Sequence, residues 1–153
     1  MGFYRFCDGE GSRTVMRRLT TENQEELRKW LSKVGEVEYP KNTMCIGQEK
    51  DGELIAVVGY NNFTPNACQI HVASTDVYWL NKALLNAIFD YPFNILEVKV
   101  IIAPICKDNY KSLKLCRKLG FEQVADIPYG HQDGDLIVMV MKRDRCVWLQ
   151  QGE

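Results

Sequence analysis

Asn109-Tyr110-Lys111-Ser112-Leu113-Lys114-Leu115-Cys116-Arg117-Lys118-Leu119-Gly120-Phe121 is the stretch on which the fold turns. It reads as one helix, from about Asn109 to Leu119. Asn is among the best N-cap residues, because its side chain accepts a hydrogen bond from an orphan amide of the first turn. Gly120 falls where a helix ends on a residue with a left-handed backbone. Upstream, Val100-Ile101-Ile102-Ala103 is apolar on both faces and closes a strand expected over Leu96 to Ala103, which suits the interior of a sheet. Strand, helix and a further strand at Phe121 to Ala125 thus follow one another closely.

Working outward, a helix is expected within about Tyr78 to Asp90, with Leu80, Ala83, Leu84, Ala87 and Ile88 as its stripe and Pro92 limiting its continuation. Before it stand three strands, Met44 to Glu49, Glu53 to Tyr60 and Ala67 to Ala73, the first two joined at an Asp51-Gly52 hairpin signal. Leu27, Trp30, Leu31 and Val34 form another helical stripe that Gly35 should end, and Thr21 with Gln24 has the spacing of a capping box. A short strand at about Thr14 to Leu19 precedes this helix, and a last strand at Asp135 to Met141 follows a polar loop at Gly130 to Gly134. The order is β-α-β-β-β-α-β-α-β-β. Its strand–helix–strand step from Ala67 to Ala103 implies a parallel, right-handed crossover within a mixed α/β sheet.

At 153 residues the chain has room for one domain, expected over residues 14–149 between a loose lead-in (1–13) and a short tail (150–153). A net charge of -1 argues against a dedicated nucleic-acid surface. No apolar run reaches the roughly 20 residues of a membrane span. With no signal-peptide core at the N-terminus, the expectation is a cytoplasmic protein. Six scattered cysteines without a C-x-x-C pair suggest neither a disulfide framework nor a metal site. Neither G-x-G-x-x-G after a strand nor a Walker lysine is present, which leaves a nucleotide-binding module unsupported.

The quoted stretch, Asn-x-x-Ser followed by Lys-Leu-Gly-Phe, resembles a segment of the GNAT N-acetyltransferase family. Ile88-Phe89-Asp90-Tyr91-Pro92-Phe93 is similar to the helix end of many ribosomal-protein-type members. Val138 to Arg143, with Cys146-Val147-Trp148-Leu149, is similar to GNAT-like proteins of tailed phages and prophages, as are Val58 to Phe63 and Ile70 to Ala73. The resemblance implies a GNAT fold (α/β, or α+β) in which strands four and five splay apart and acetyl-CoA lies between them.

It also implies site residues. The backbone at Val72 and Ala73 would pair with the pantetheine arm as an added strand. Ser74, Thr75, Asp76, Val77 and Tyr78 take the place of the family's basic, Gly-rich diphosphate loop, and depart from it in lacking Gly and carrying an acid. Asp76, Ser74 or Thr75 would alternatively cap the following helix. Phosphate charge would be met by Lys82, or by Lys107 and Lys111. Asn109, Lys111 and Ser112 stand where members contact cofactor or substrate, and Asn109 serves equally as a helix cap. Cys116 occupies the position of the Tyr that protonates the departing thiolate; a packed core thiol is the competing reading.

His71, alternating with Ile70 and Val72, is the candidate general base, with an ordinary pKa of about 6.5. Glu97, Asp76 and His131 are weaker alternatives. The implied reaction is direct attack of an amine, on a protein or small molecule, upon the acetyl thioester. The alternative is a GNAT-fold interaction or structural protein with weak or absent catalysis, phage-encoded. The loops at Asn61 to Asn66 and Tyr129 to Gly134 would border the acceptor, and a homodimer is compatible with either reading.

Overall fold

The structure is a computed structural model that describes residues 15–149. The expected lead-in and tail lie outside the described residues. The elements run β1 (Arg17–Thr20), α1 (Gln24–Gly35), β2 (Met44–Lys50), β3 (Glu53–Asn61), β4 (Ala67–Ser74), α2 (Lys82–Asp90), β5 (Val100–Cys106), α3 (Tyr110–Leu119), β6 (Glu122–His131) and β7 (Gly134–Lys142). This is the expected order. The strands form one seven-stranded mixed sheet, in the order β1-β2-β3-β4-β5-β7-β6. The β4–β5 pair is parallel; β1–β2, β2–β3, β5–β7 and β6–β7 are antiparallel. The chain packs as two compact units. Among the described residues, one holds those up to Asn61 with His71–Ile88; the other holds Asn62–Ile70 with those from Phe89 on.

In the first unit, α1 seats on the sheet through two glycines. A Cβ at Gly47 would stand 2.8 Å from Leu27, and one at Gly59 would stand 2.5 Å from Leu31. The absence of side chains there lets both leucines bury fully against Cys45, Val57 and Ala73. The expected Thr21–Gln24 capping box does not form. Asn23 takes the N-cap with a left-handed backbone, and Gln24 instead reaches β2, where it pairs with both the N–H and the C=O of Cys45 at 2.8 Å. Two strong bonds to a strand backbone outweigh one local cap. Gly35 is the last helical residue rather than the stop, and Glu36 takes the left-handed turn. The β2–β3 hairpin turns at Asp51 and Gly52, both with positive φ, as the sequence indicates.

The second unit corrects three boundaries. Past Asp90 the helix does not end at Pro92 but widens into a π-type turn, Tyr91–Ile95. Pro92 sits at its start, where its missing N–H costs little, and Leu96 N closes the turn on Tyr91 O. Glu97 then adopts φ +60, so β5 begins at Val100 rather than Leu96 and runs on through Pro104 to Cys106. The bonds Arg143 N to Lys99 O and Lys107 N to Asp135 O put the odd-numbered residues of β5 in the hydrogen-bonded pairs with β7. Pro104 therefore withholds no N–H from that ladder. The β4–β5 ladder spans only Ala67–Gln69 against Val100–Ile102, and both strands continue beyond it. It ends where strands four and five are expected to open. The third correction is β6, which is ten residues long where five were expected, with register shifts at Gln123/Ala125 and Ile127/His131.

Around α3 the sequence expectations hold. Asn109 accepts from Ser112 N at 3.2 Å, and Gly120 ends the helix at φ +107. Trp148 donates to Leu119 O at 2.7 Å, which docks the C-terminal segment on this helix. Phe89, Phe93 and Phe121 pack at ring separations of 6.4 and 6.2 Å. Among the described residues no helix is long and apolar enough to cross a membrane.

Candidate active site

Alternation along β4 decides where His71 points. Ala73 joins the cluster beneath α1, so His71, two residues earlier, shares that face. Its Nε2 lies 2.9 Å from Oδ1 of Asn61, the last residue of β3, whose Nδ2 donates to Thr43 Oγ1 at 3.3 Å. The Tyr39 ring tilts against the imidazole with centroids 4.8 Å apart. Burial pushes the imidazole down to about 4, well under the ordinary value expected from sequence. His71 is therefore neutral at physiological pH and holds a lone pair without first losing a proton. The sequence points to His71, places Asn61 only in a loop bordering the acceptor rather than at the end of β3, and gives no sign of Thr43 or Tyr39. The one signal was Asn61 itself, an amide closing the apolar run Ile55–Tyr60.

The segment after β4 is tied down by its own polar groups. Thr75 N donates to Ile55 O at 2.9 Å. Asp76 accepts from Tyr78 N at 2.8 Å through Oδ1 and pairs with Lys50 at 3.4 Å through Oδ2. Its partial burial works against the charge, but the Tyr78 amide, Lys50 and Arg17 outweigh it and hold the carboxyl below its usual range. Neither Asp76, Ser74 nor Thr75 caps α2, contrary to the sequence expectation. Asn81 does, accepting from Leu84 N at 2.9 Å, because it immediately precedes the helix while Asp76 is spent on its own turn. Buried Gln48 donates to Trp79 O at 3.1 Å and anchors the end of the segment. Val72, Ser74, Val77 and Lys82 are exposed.

The remaining candidates lie in the second unit. Asn109 uses its Oδ1 for the α3 cap, accepting from Ser112 N. Lys111 is exposed and Ser112 partly so; Lys107 pairs with Asp126 at 3.0 Å. Burial pushes the Cys116 thiol up to about 12. Its backbone oxygen accepts from Gly120 N and Phe121 N, part of the helix stop. Glu97 is an exposed turn residue, and His131 accepts from Asp133 N at 3.1 Å within the β6–β7 turn. Cys45, Cys68, Cys106, Cys116 and Cys146 are free thiols, and no metal-binding cluster occurs among the described residues.

Residues 3–122 match the family model described as an acetyltransferase (GNAT) domain. The acetyltransferase PseH of Campylobacter jejuni serotype O:2 is 31% identical over 98 residues, which are 63% of this chain and 59% of that protein. The chain thus spans under two thirds of the length of the curated relatives it matches. The structure of Campylobacter jejuni PseH in complex with acetyl coenzyme A superposes with a TM-score of 0.55 at 20% identity, covering 85% of this chain and 99% of that one. A chimera of spermidine N-acetyltransferase SpeG from Vibrio cholerae and hSSAT gives a TM-score of 0.69 at 14% identity, covering 84% and 96%. At these identities the two structures speak to the fold alone.

Proposed function

The chain belongs to the GNAT acetyltransferase family, and from that premise we propose that it is an acetyl-CoA-dependent N-acetyltransferase acting on an amine of a protein or small molecule. The observation that carries the reading is His71: a half-buried, neutral imidazole with one ring nitrogen held by Asn61 and the other left to act. When bound, acetyl-CoA supplies the acetyl thioester. His71 takes the proton that the acceptor nitrogen gives up as its lone pair enters the new C–N bond, while the C–S bond breaks and the sulfur leaves as a thiolate that takes its proton from water. So weak a base suits a proton released late, after the nitrogen has become acidic.

The residues after β4 fit the cofactor better than their composition suggests. Asp76 is neutralised by Lys50 and turned onto Tyr78 N, and a neutral Asn81 caps α2. The acid therefore does not compete with a phosphate for the first-turn amides of that helix. On this reading Val72, Ala73 and Ser74 offer strand backbone to the pantetheine arm, Thr75 to Tyr78 line the diphosphate, and exposed Lys82 adds charge. Asn109, Lys111 and Ser112 at the start of α3 are further cofactor contacts by family resemblance. The reaction would take place in the cytoplasm, that of the host if the protein is phage-encoded.

Cys116 favours a second reading. Standing where the family places a proton-donating Tyr, its thiol is too weak an acid to serve that role well. A GNAT-fold interaction protein of phage type, with little turnover, would need no such donor. Release of the CoA thiol, measured with alkyl amines, peptide N-termini and lysine peptides, separates the two. The enzyme reading expects amine-dependent release. Intact acetyl-CoA with every acceptor would sink it and leave the interaction protein.

A further inference from the structure

Three polar side chains cross the first unit in a line: Thr43 just before β2, Asn61 at the end of β3 and His71 on β4. Thr43 and Asn61 are each 3% exposed. A buried amide or hydroxyl is costly unless its hydrogen bonds are made, and here each group's partner is the next in the line. The Asn61 amide sets the direction. Its Nδ2 donates to Thr43 Oγ1, so the atom facing His71 Nε2 is the carbonyl Oδ1. A carbonyl oxygen only accepts, so the proton between them belongs to Nε2. A neutral imidazole carries one ring proton, which leaves Nδ1 bare.

We propose that Asn61, backed by Thr43, is a positioning residue that fixes the His71 proton on Nε2 and thereby presents Nδ1 as the proton acceptor. The titratable groups around the ring do not compete for that control. Tyr39 packs on the imidazole and its phenol is raised by burial and by nearby Cys45, whose own thiol burial pushes up to about 11. Both are neutral, and burial alone accounts for the shift of His71. The proposal rests on His71 being the base, but the site of the proton can be read without turnover.

The test is the imidazole proton and nitrogen spectrum of the full-length, ¹⁵N-labelled protein at neutral pH, with the His71 signals assigned by their loss in His71→Gln. The wild type should show a protonated Nε2 whose proton exchanges slowly enough to be seen, and a bare Nδ1. In Asn61→Leu that proton signal should vanish into solvent exchange, and kcat should drop ~10–100-fold, short of the ~10²–10⁴-fold that loss of the general base itself costs. Asn61→Asp keeps the acceptor and adds a negative charge. It should retain the Nε2 proton and move the His71 titration upward by at least about one pH unit.

A proton on Nδ1 in the wild type, as a flipped Asn61 amide would give, overturns the proposal. So does a slow Nε2 proton that persists in Asn61→Leu. Should Asn61→Leu not fold, Asn61→Asp decides by the same two readings, and an unmoved titration counts against. Absence of turnover with the expected spectra would overturn the base assignment of His71 and leave its proton placement standing.

Discussion

His71 on β4 and Cys116 on α3 stand on different elements, and burial acts on both in one direction. It favours the neutral form, lowering the imidazole to about 4 and raising the thiol to about 12. A neutral imidazole keeps its lone pair and remains a base. A neutral thiol of that acidity neither attacks nor gives up its proton readily. The same desolvation leaves one residue competent and silences the other. What differs is the chemistry of the neutral form.

The comparison can be broken first at turnover. His71→Gln should lower kcat by ~10²–10⁴-fold, the usual worth of a general base, while Cys116→Ser should leave kcat close to wild type. Equal losses in the two variants would end the contrast. A smaller effect lies in acid stability. Below about pH 6.5 the unfolded chain takes up a proton at His71 that the folded chain refuses until about pH 4. Stability therefore falls as pH drops through that window, by about 3 kcal/mol once below it. Urea unfolding at pH 7 and pH 4 should show His71→Gln losing less stability than wild type on acidification. An identical loss would mean that the imidazole is not desolvated.

The smallest effect sharpens the other half of the comparison. Removing the α3 cap with Asn109→Ala should cost about 1 kcal/mol. That loosening should speed labelling of Cys116 by a thiol reagent at neutral pH. Unchanged labelling would show that packing, rather than helix integrity, protects the thiol.

The two regions also differ in how far the sequence reveals them. The signals around Cys116 are local: Asn109 caps an amide three residues on, and Gly120 supplies a positive φ one residue past the helix. The Asp51-Gly52 turn is legible for the same reason. The surroundings of His71 are not local. Asn61 is ten residues away in sequence, and Thr43 a further eighteen from Asn61. They meet because β2, β3 and β4 lie side by side, which no spacing rule encodes. Alternation sets His71 on the face opposite Ile70 and Val72 but implies an ordinary pKa, since its burial depends on groups distant in sequence, such as Tyr39.

Between these extremes stand signals that point the right way and are misassigned. Asp76 has the chemistry of a cap but lies five residues before Asn81, the residue that fills the role. Gln24 has the spacing of a capping box, yet a strand backbone offers it more. Pro104 is the one local trace of where the β4–β5 ladder stops, two residues past Ile102. A proline tolerates that place because no N–H is called for there.

The central claim is that this chain binds acetyl-CoA although its segment after β4 lacks glycine and carries Asp76. Thermal and urea unfolding of the full chain with and without acetyl-CoA tests it directly. At 100 times the dissociation constant the cofactor should raise stability by about 2.7 kcal/mol, with a higher melting temperature that climbs with concentration. No shift at millimolar acetyl-CoA would contradict the claim, and the acetyltransferase reading with it.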